Sequence, residues 1–331
     1  MPFCRGEAFA SAIASPLPSH DMIATITLNP ALDKLVYIDR LLPNDTNRIT
    51  KLEIDAGGKG LNASRVLREL GSDTIALGFL GGQTGSFIEY VLNNENIPTD
   101  FVHISRETRT NIAVQEDSGA PPTTLNESGA PVTEDELNQL FEKVRAAALR
   151  SSMVIFGGSL PPGAPKDLYM KLVTLVHESG AKAILDSDGE PMRLGMQAAP
   201  FMIKPNRDEV QRLVGVEIKS LDDVASALNI LAKNGVQLVV ISMGADGAIA
   251  GSSGEVWHAV PPQVKPVSTI GSGDSMVAGI AHILSCGGAL AEALRWGTAA
   301  GAATAMTDGT EICSRDQVLS LLDQVQIRQL A

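Results

Sequence analysis

Only three cysteines, Cys4, Cys286 and Cys313, stand in 331 residues, too few and too scattered for a disulfide framework or a zinc-ligand spacing. A reduced, cytoplasmic setting is the expectation that follows. Basic residues are also in short supply: 26 Lys and Arg against 38 Asp and Glu leave a formal net charge of −12. Nucleic acid and anionic membrane surfaces call for a basic stripe, so this balance argues against both as partners. The five histidines form neither a metal nor a triad spacing. Long apolar runs are missing too. The best of them, 276–294, carries His282, Glu292 and a Gly287-Gly288 break, and reads as a buried helix rather than a membrane span. No internal repeat or low-complexity linker is visible.

What is present is ample material for a core, with 44% hydrophobic residues and a mean hydropathy of +0.10. Residues 1–21 hold Pro16, Pro18, one Arg and a small-residue stretch, without the uninterrupted apolar region of a signal peptide. They are expected to be a disordered extension, or to precede a working start at Met22. From there the pattern changes. Strands are expected at 22–28, 74–77, 153–156, 182–185, 201–203 and 237–242, with a hairpin at 248–250 and 256–259. Helices are expected at 61–70, 85–94, 165–179, 207–214 and 221–233, and three more finish the chain. Continuous apolar strands alternating with helices imply an α/β fold with a mostly parallel sheet covered on both faces. Two stretches, 33–55 and 101–131, break the alternation with short period-2 segments such as Asn111-Ile112-Ala113-Val114-Gln115. They are expected to form a small β layer, a lid inserted into a domain spanning 22–331.

Three clusters carry candidate chemistry. The first is Gly271-Ser272-Gly273-Asp274, where a glycine turn opens a long apolar helix. Glycines uncover backbone N–H groups at the positive end of a helix dipole, which suits an anion. The carboxylate beside them either caps the helix or takes a proton from a hydroxyl that attacks the held phosphoryl group. The second is Gly57-Gly58-Lys59-Gly60-Leu61-Asn62, which lets backbone approach a polyol or simply makes a tight turn. It lacks the GxxxxGK[ST] spacing of a P-loop. The third is Lys204-Pro205-Asn206 with Glu209, beyond the carboxyl end of a strand. Asn206 and Glu209 either order water around Mg²⁺, which takes few protein ligands, or form a plain capping box. Arg48 and Arg109 fall in the two lid segments and are suited to a bidentate phosphate contact, or to a surface ion pair. Ser159, in the Gly158-Ser159-Leu160-Pro161-Pro162-Gly163 turn, is a possible ligand contact.

Together with Asn29-Pro30-Ala31-Leu32-Asp33 and Ser242-Met243-Gly244, these segments resemble the PfkB (ribokinase-like) carbohydrate kinases, in the family's order and from Met22 onward. The Asn-Pro-Ala-Leu-Asp start, the Gly-Gly-Lys-Gly turn and Thr108-Arg109-Thr110-Asn111 look most like its phosphosugar branch. That branch holds 1-phosphofructokinases, tagatose-6-phosphate kinases and the minor 6-phosphofructokinases. Gly-Ser-Gly-Asp in place of the commoner Gly-Ala-Gly-Asp keeps a small middle residue. The resemblance implies a three-layer α/β/α sandwich with a β lid, and transfer of the γ-phosphoryl group of ATP, with Mg²⁺, to a ketohexose phosphate. It implies Asp274 as base and the Gly271–Gly273 amides as anion hole. Asp33, Gly58 and Asn62 would hold sugar hydroxyls, and Lys59, Arg48 and Arg109 would lie near the sugar's phosphate. Lys204, Asn206 and Glu209 would serve the ATP phosphates and Mg²⁺, with Ser242 and Gly244 along the nucleotide. Fructose 1-phosphate is the expected substrate. Tagatose 6-phosphate or fructose 6-phosphate stays open, as does a catalytically inactive sugar-phosphate or nucleotide sensor. Related enzymes pair through the lid, so a homodimer is expected.

Overall fold

The computed structural model describes residues 22–118, 121–215, 217–252 and 254–330. The expectation for 1–21 lies outside the described residues. The chain begins with β1 (Met22–Thr27), β2 (Ala31–Ile38), β3 (Lys51–Gly57), α1 (Lys59–Leu70), β4 (Thr74–Gly81) and α2 (Gly82–Asn94). It continues through β5 (Val102–Ile104), β6 (Arg109–Glu116), β7 (Thr123–Asn126), α3 (Glu134–Ala148), β8 (Ser151–Gly157) and α4 (Leu168–Glu178). Then come β9 (Lys182–Asp186), α5 (Gly189–Gly195), β10 (Met202–Ile203), α6 (Arg207–Val214), α7 (Leu221–Ala232) and β11 (Leu238–Ser242). The hairpin β12 (Ala248–Ser252) and β13 (Glu255–Val260) precedes α8 (Ser272–Ser285), α9 (Leu290–Ala305), α10 (Arg315–Leu322) and β14 (Gln326–Gln329).

Ten strands form one sheet in the order β14-β13-β12-β11-β10-β9-β8-β1-β4-β5. Neighbours from β11 to β5 are parallel, and β12 to β14 extend the sheet antiparallel. The pleat sends alternate side chains to opposite faces, so both faces of a buried strand must be apolar. On β1 and β8, Ala24, Ile26, Val154 and Phe156 pack with side chains of α3, α4, α6 and α7, including Leu140, Leu172, Val210 and Leu228. Ile23, Met153 and Ile155 face the other way, against Val66, Val277, Leu294 and Val318 of α1, α8, α9 and α10. This is the expected α/β/α sandwich.

Four further strands form a small sheet in the order β3-β2-β6-β7. Register places Asp33 opposite Asp55 and Asn111, and Asn111 opposite Asn126, on one face. Lys34, Ile54, Ile112 and Leu125 form the matching row on the other. Within 101–131, β5 runs beside β4 in the large sheet, and β6 and β7 lie in the small one.

Two helices and one strand go beyond the sequence reading. Helix α3 opens on a capping box, Glu136 N donating to Thr133 Oγ1 at 3.3 Å and Thr133 N to Glu136 Oε2 at 2.7 Å. Helix α5 is a short turn capped by Asp188. Three helices do not finish the chain, because β14 follows them and pairs with β13. Four residues show too little periodicity to be read alone; β14 exists because β13 offers an open ladder.

The carboxyl ends of the parallel strands share one edge. There the chain order reverses, with β4 on one side of β1 and β8 on the other, opening the crevice where ligands bind in such sheets.

Candidate active site

Gly271 adopts φ 76°, a left-handed conformation that lets the chain turn directly into α8. Asp274 sits in the first turn but does not cap the helix. It accepts instead a hydrogen bond from Asn62 Nδ2 at 2.8 Å, which joins the first turns of α1 and α8. The capping role is therefore excluded. Burial pushes the Asp274 carboxyl up to about 6, and the charge of Asp186 adds to the rise. Lys59, the Asn62 hydrogen bond and Lys204 work in the opposite direction.

Asp186 ends β9 and is buried between two ammonium groups. Lys59 Nζ lies 2.9 Å from Oδ1, and Lys204 Nζ 3.4 Å from Oδ2. Burial disfavours its charge, yet Lys204 and Lys59 hold it below the usual carboxylate range. Its place was legible as the acid closing the apolar run Ala183-Ile184-Leu185, at the carboxyl end of a strand, though sequence reasoning passed it over. Lys59, expected near the sugar's phosphate, is thus bound at the centre of the crevice. Lys204 also reaches the anion turn: a Cβ on Gly273 would stand 3.2 Å from its Nζ. The buried Ser272 Oγ has no hydrogen-bond partner among the described residues. An unused hydroxyl, an ammonium and a helix N-terminus together fit a phosphoryl group.

On the far side of Lys204, Asn206 and Glu209 form the capping box. Glu209 N donates to Asn206 Oδ1 at 2.9 Å, and Asn206 N to Glu209 Oε2 at 2.7 Å. The box occupies Asn206 Oδ1 and one Glu209 oxygen and leaves Glu209 Oε1 without a hydrogen-bond partner among the described residues. Ser242 closes β11, its N–H donating to the Pro205 carbonyl at 3.1 Å. Gly244, at φ 60°, opens the turn beyond it. That turn borders a cavity of about 380 Å³ lined by Arg207, Ile218, Met243, Asp246 and His258 among others.

The small sheet brings Asp33 to the opposite side. Asn111 Nδ2 donates to Asp33 Oδ1 at 2.9 Å, and burial raises the Asp33 pKa. A Cβ on Gly57 would lie 1.8 Å from Asp33 Oδ2, so glycine there leaves the space that the Asp33 carboxylate fills. Gly58, at φ 145°, starts α1. Arg109, expected to face a phosphate, clamps backbone instead: Nη2 donates to the Asn29 carbonyl at 2.9 Å and Nη1 to that of Glu127 at 3.0 Å. Asn29 Nδ2 in turn reaches Ser159 Oγ at 3.2 Å. Arg48 is exposed on the loop between β2 and β3 and has no hydrogen-bond or ion-pair partner among the described residues. The structure thus gathers Asp274, Asn62, Lys59, Lys204 and the Gly271–Gly273 turn, and leaves Arg48 apart.

Residues 23–317 match the pfkB family carbohydrate kinases. The chain belongs to that family. The 1-phosphofructokinase of Borreliella burgdorferi is 34% identical over 310 residues, covering 93% of this chain and 99% of the relative. The ATP-dependent 6-phosphofructokinase isozyme 2 of Escherichia coli is 34% identical, covering 89% and 96%. Among solved structures, phosphofructokinase-2 from Escherichia coli superposes with a TM-score of 0.86 at 32% identity, over 91% of this chain and 98% of that one. A tetrameric inhibited form of the same enzyme superposes with a TM-score of 0.85. As a pfkB carbohydrate kinase, the chain is a phosphotransferase with a sugar hydroxyl as acceptor, and ATP is the substrate this family implies.

Proposed function

We propose that the chain transfers the γ-phosphoryl group of ATP to fructose 1-phosphate, forming fructose 1,6-bisphosphate and ADP. One observation carries the reading: a buried carboxylate, pushed up to about 6, is held by Asn62 beside a glycine turn that Lys204 abuts. A general base works best with a pKa near the operating pH. Asp274 takes the proton of the C6 hydroxyl as its oxygen bonds to the γ-phosphorus, and the bond to the bridging oxygen of ADP breaks. The Gly271–Gly273 amides, Ser272 and Lys204 stabilise charge on the transferring group. Lys59, neutralised in part by Asp186, screens the repulsion between Asp274 and the γ-phosphate. Asp33 and Asn62 receive sugar hydroxyls, Gly58 gives close backbone approach, and Ser159 lies beside them. As the small sheet closes, the solvent-facing Arg48 reaches the sugar's phosphate and Arg109 Nη1 exchanges the Glu127 carbonyl for it, and closure excludes water. The nucleotide runs over Ser242 and Gly244. Mg²⁺ suits the free Glu209 oxygen, with Asn206 fixing that side chain, because Mg²⁺ keeps several waters beside phosphates and few protein ligands. When bound it neutralises charge on the phosphates.

Relatives named 1-phosphofructokinase support the choice of fructose 1-phosphate. The Escherichia coli relative supports fructose 6-phosphate as the second reading, with the C1 hydroxyl attacked; tagatose 6-phosphate asks for the same chemistry. A coupled ADP-release assay on the three sugars decides, with the highest kcat/KM expected for fructose 1-phosphate. No ADP release with any hexose phosphate overturns the reading and leaves a sensor.

The outer face of the small sheet supports a homodimer. Leu52, Ile54 and Leu125 are 46%, 44% and 59% exposed on one largely apolar face, which also carries the charge of Lys34. A second copy of the same face would cover them.

A further inference from the structure

The segment between α9 and α10 touches the small sheet at its tip and the anion turn at its base. At the tip, Thr310 Oγ1 donates to Asp55 Oδ2. Its neighbour Gly309 has φ 56°, and a Cβ there would stand 2.3 Å from Glu53 Oε2 and 3.4 Å from Leu35 Cδ2. Leu35, Glu53 and Asp55 lie on the face of the small sheet that carries Asp33. At the base, Thr307 Oγ1 is 2.7 Å from the Thr304 carbonyl and 2.6 Å from that of Glu311. Thr304 Oγ1 accepts from Cys313 N at 3.1 Å and lies 2.7 Å from Ser275 Oγ, which donates to the Gly271 carbonyl at 2.9 Å. A Cβ on Gly271 would meet Thr304 Cγ2 at 3.7 Å and Ile312 Cγ2 at 3.8 Å. The two flanks of the strap's base, Thr304 and Ile312, therefore border the first residue of the anion turn.

We infer that Thr310 is a positioning residue, coupling the small sheet over the sugar to the Gly271–Gly273 turn that receives the phosphoryl group. The inference rests on the function proposed above. Asp55 stands directly opposite Asp33, and like charges in that arrangement repel. The Thr310 hydroxyl answers the Asp55 carboxylate, so the small sheet settles where the strap is. A sugar that engages Asp33 from below moves β2 and β3 as a unit. The strap carries that displacement through Thr304 and Ser275 to the Gly271 carbonyl. Sugar and nucleotide then bind cooperatively, and by linkage each strengthens the other equally.

The test measures the Kd of a non-hydrolysable ATP analogue by calorimetry, with and without saturating fructose 1-phosphate. In the wild type the sugar phosphate is expected to tighten the analogue by about 5–150-fold, the ordinary range for coupled sites. In Thr310→Val that factor falls to near one, while Thr310→Ser, which keeps the hydroxyl, restores it. A purely structural role would lower the melting temperature and leave the factor unchanged. Thr310→Ala replaces the valine variant if circular dichroism shows the latter misfolded. An unchanged factor in the folded variant, or no coupling in a wild type that turns over the sugar, overturns the strap alone. A wild type that turns over no hexose phosphate overturns the proposed function with it.

Discussion

Asp274 is a carboxylate in a place that resists its charge, and its behaviour with pH follows from that. Its pKa rises from 3.8 to about 6 on folding, so between those values the folded chain holds a proton that the unfolded chain has released. The stability this lends is complete below about 3.8 and is lost as pH climbs through about 6. Asp274→Asn is therefore expected to melt no lower than wild type at pH 8, by calorimetry, while its kcat falls ~10²–10⁴-fold. The wild-type kcat/KM should decline below about pH 6, as the base protonates. A profile flat through that region, or near-normal kcat in the asparagine variant, removes Asp274 as base. The same residue shows how far single positions could be read. The acid beside a glycine turn was visible in the sequence, and so was a choice between cap and base. The hydrogen bond from Asn62, 212 positions away, excludes the cap. Asp186 was hidden for a related reason. One acid ending a strand looks ordinary until folding places Lys59 and Lys204 on either side of it.

At the scale of elements, α1 and α8 were legible because each opens on a glycine cluster followed by apolar periodicity. The capping box at 206–209 was one of two readings of Asn206 and Glu209, and the geometry shows it made in both directions. Helix α3, just beyond the expected β layer, went unread although Thr133-x-x-Glu136 announces it. Strand pairing is the less local matter. The Gly57-Gly58 pair reads as a tight turn, but only the β2–β3 register shows Asp33 filling the space beside Gly57. Gly57→Ala is expected to displace Asp33 and raise the KM for the sugar phosphate at least about tenfold, the loss of roughly one hydrogen bond to a charged group. The Kd of a non-hydrolysable ATP analogue measured without sugar should stay near wild type, since Asp33 acts on the nucleotide only when sugar engages it. Equal rises in both constants would show instead that the substitution disturbs α1 as a whole.

At the scale of the molecule, no helix of the described residues is long and apolar enough to cross a membrane. The exposed apolar face of the small sheet is the surface that asks for a partner. Ile54→Asp places a charge in its middle row, opposite Lys34, away from every residue assigned to the crevice. Light scattering after gel filtration is expected to show a dimer for the wild type and a monomer for this variant. A wild type that is monomeric at micromolar concentration rejects the interface. Retained dimer in the variant places the contact elsewhere.

The sequence by itself determined the alternation of strands and helices, the two-faced apolar strands of a covered sheet, and the six short segments that mark a pfkB carbohydrate kinase. These are local, because periodicity, turn glycines and capping residues act over a few positions. Tertiary structure alone decided which charges meet. Lys59 and Lys204 converge on Asp186 and Arg109 turns to backbone carbonyls, and Thr310 reaches Asp55 across 255 positions. A buried charge must find its counter-charge wherever the packing of the layers brings one, and sequence distance has no part in that.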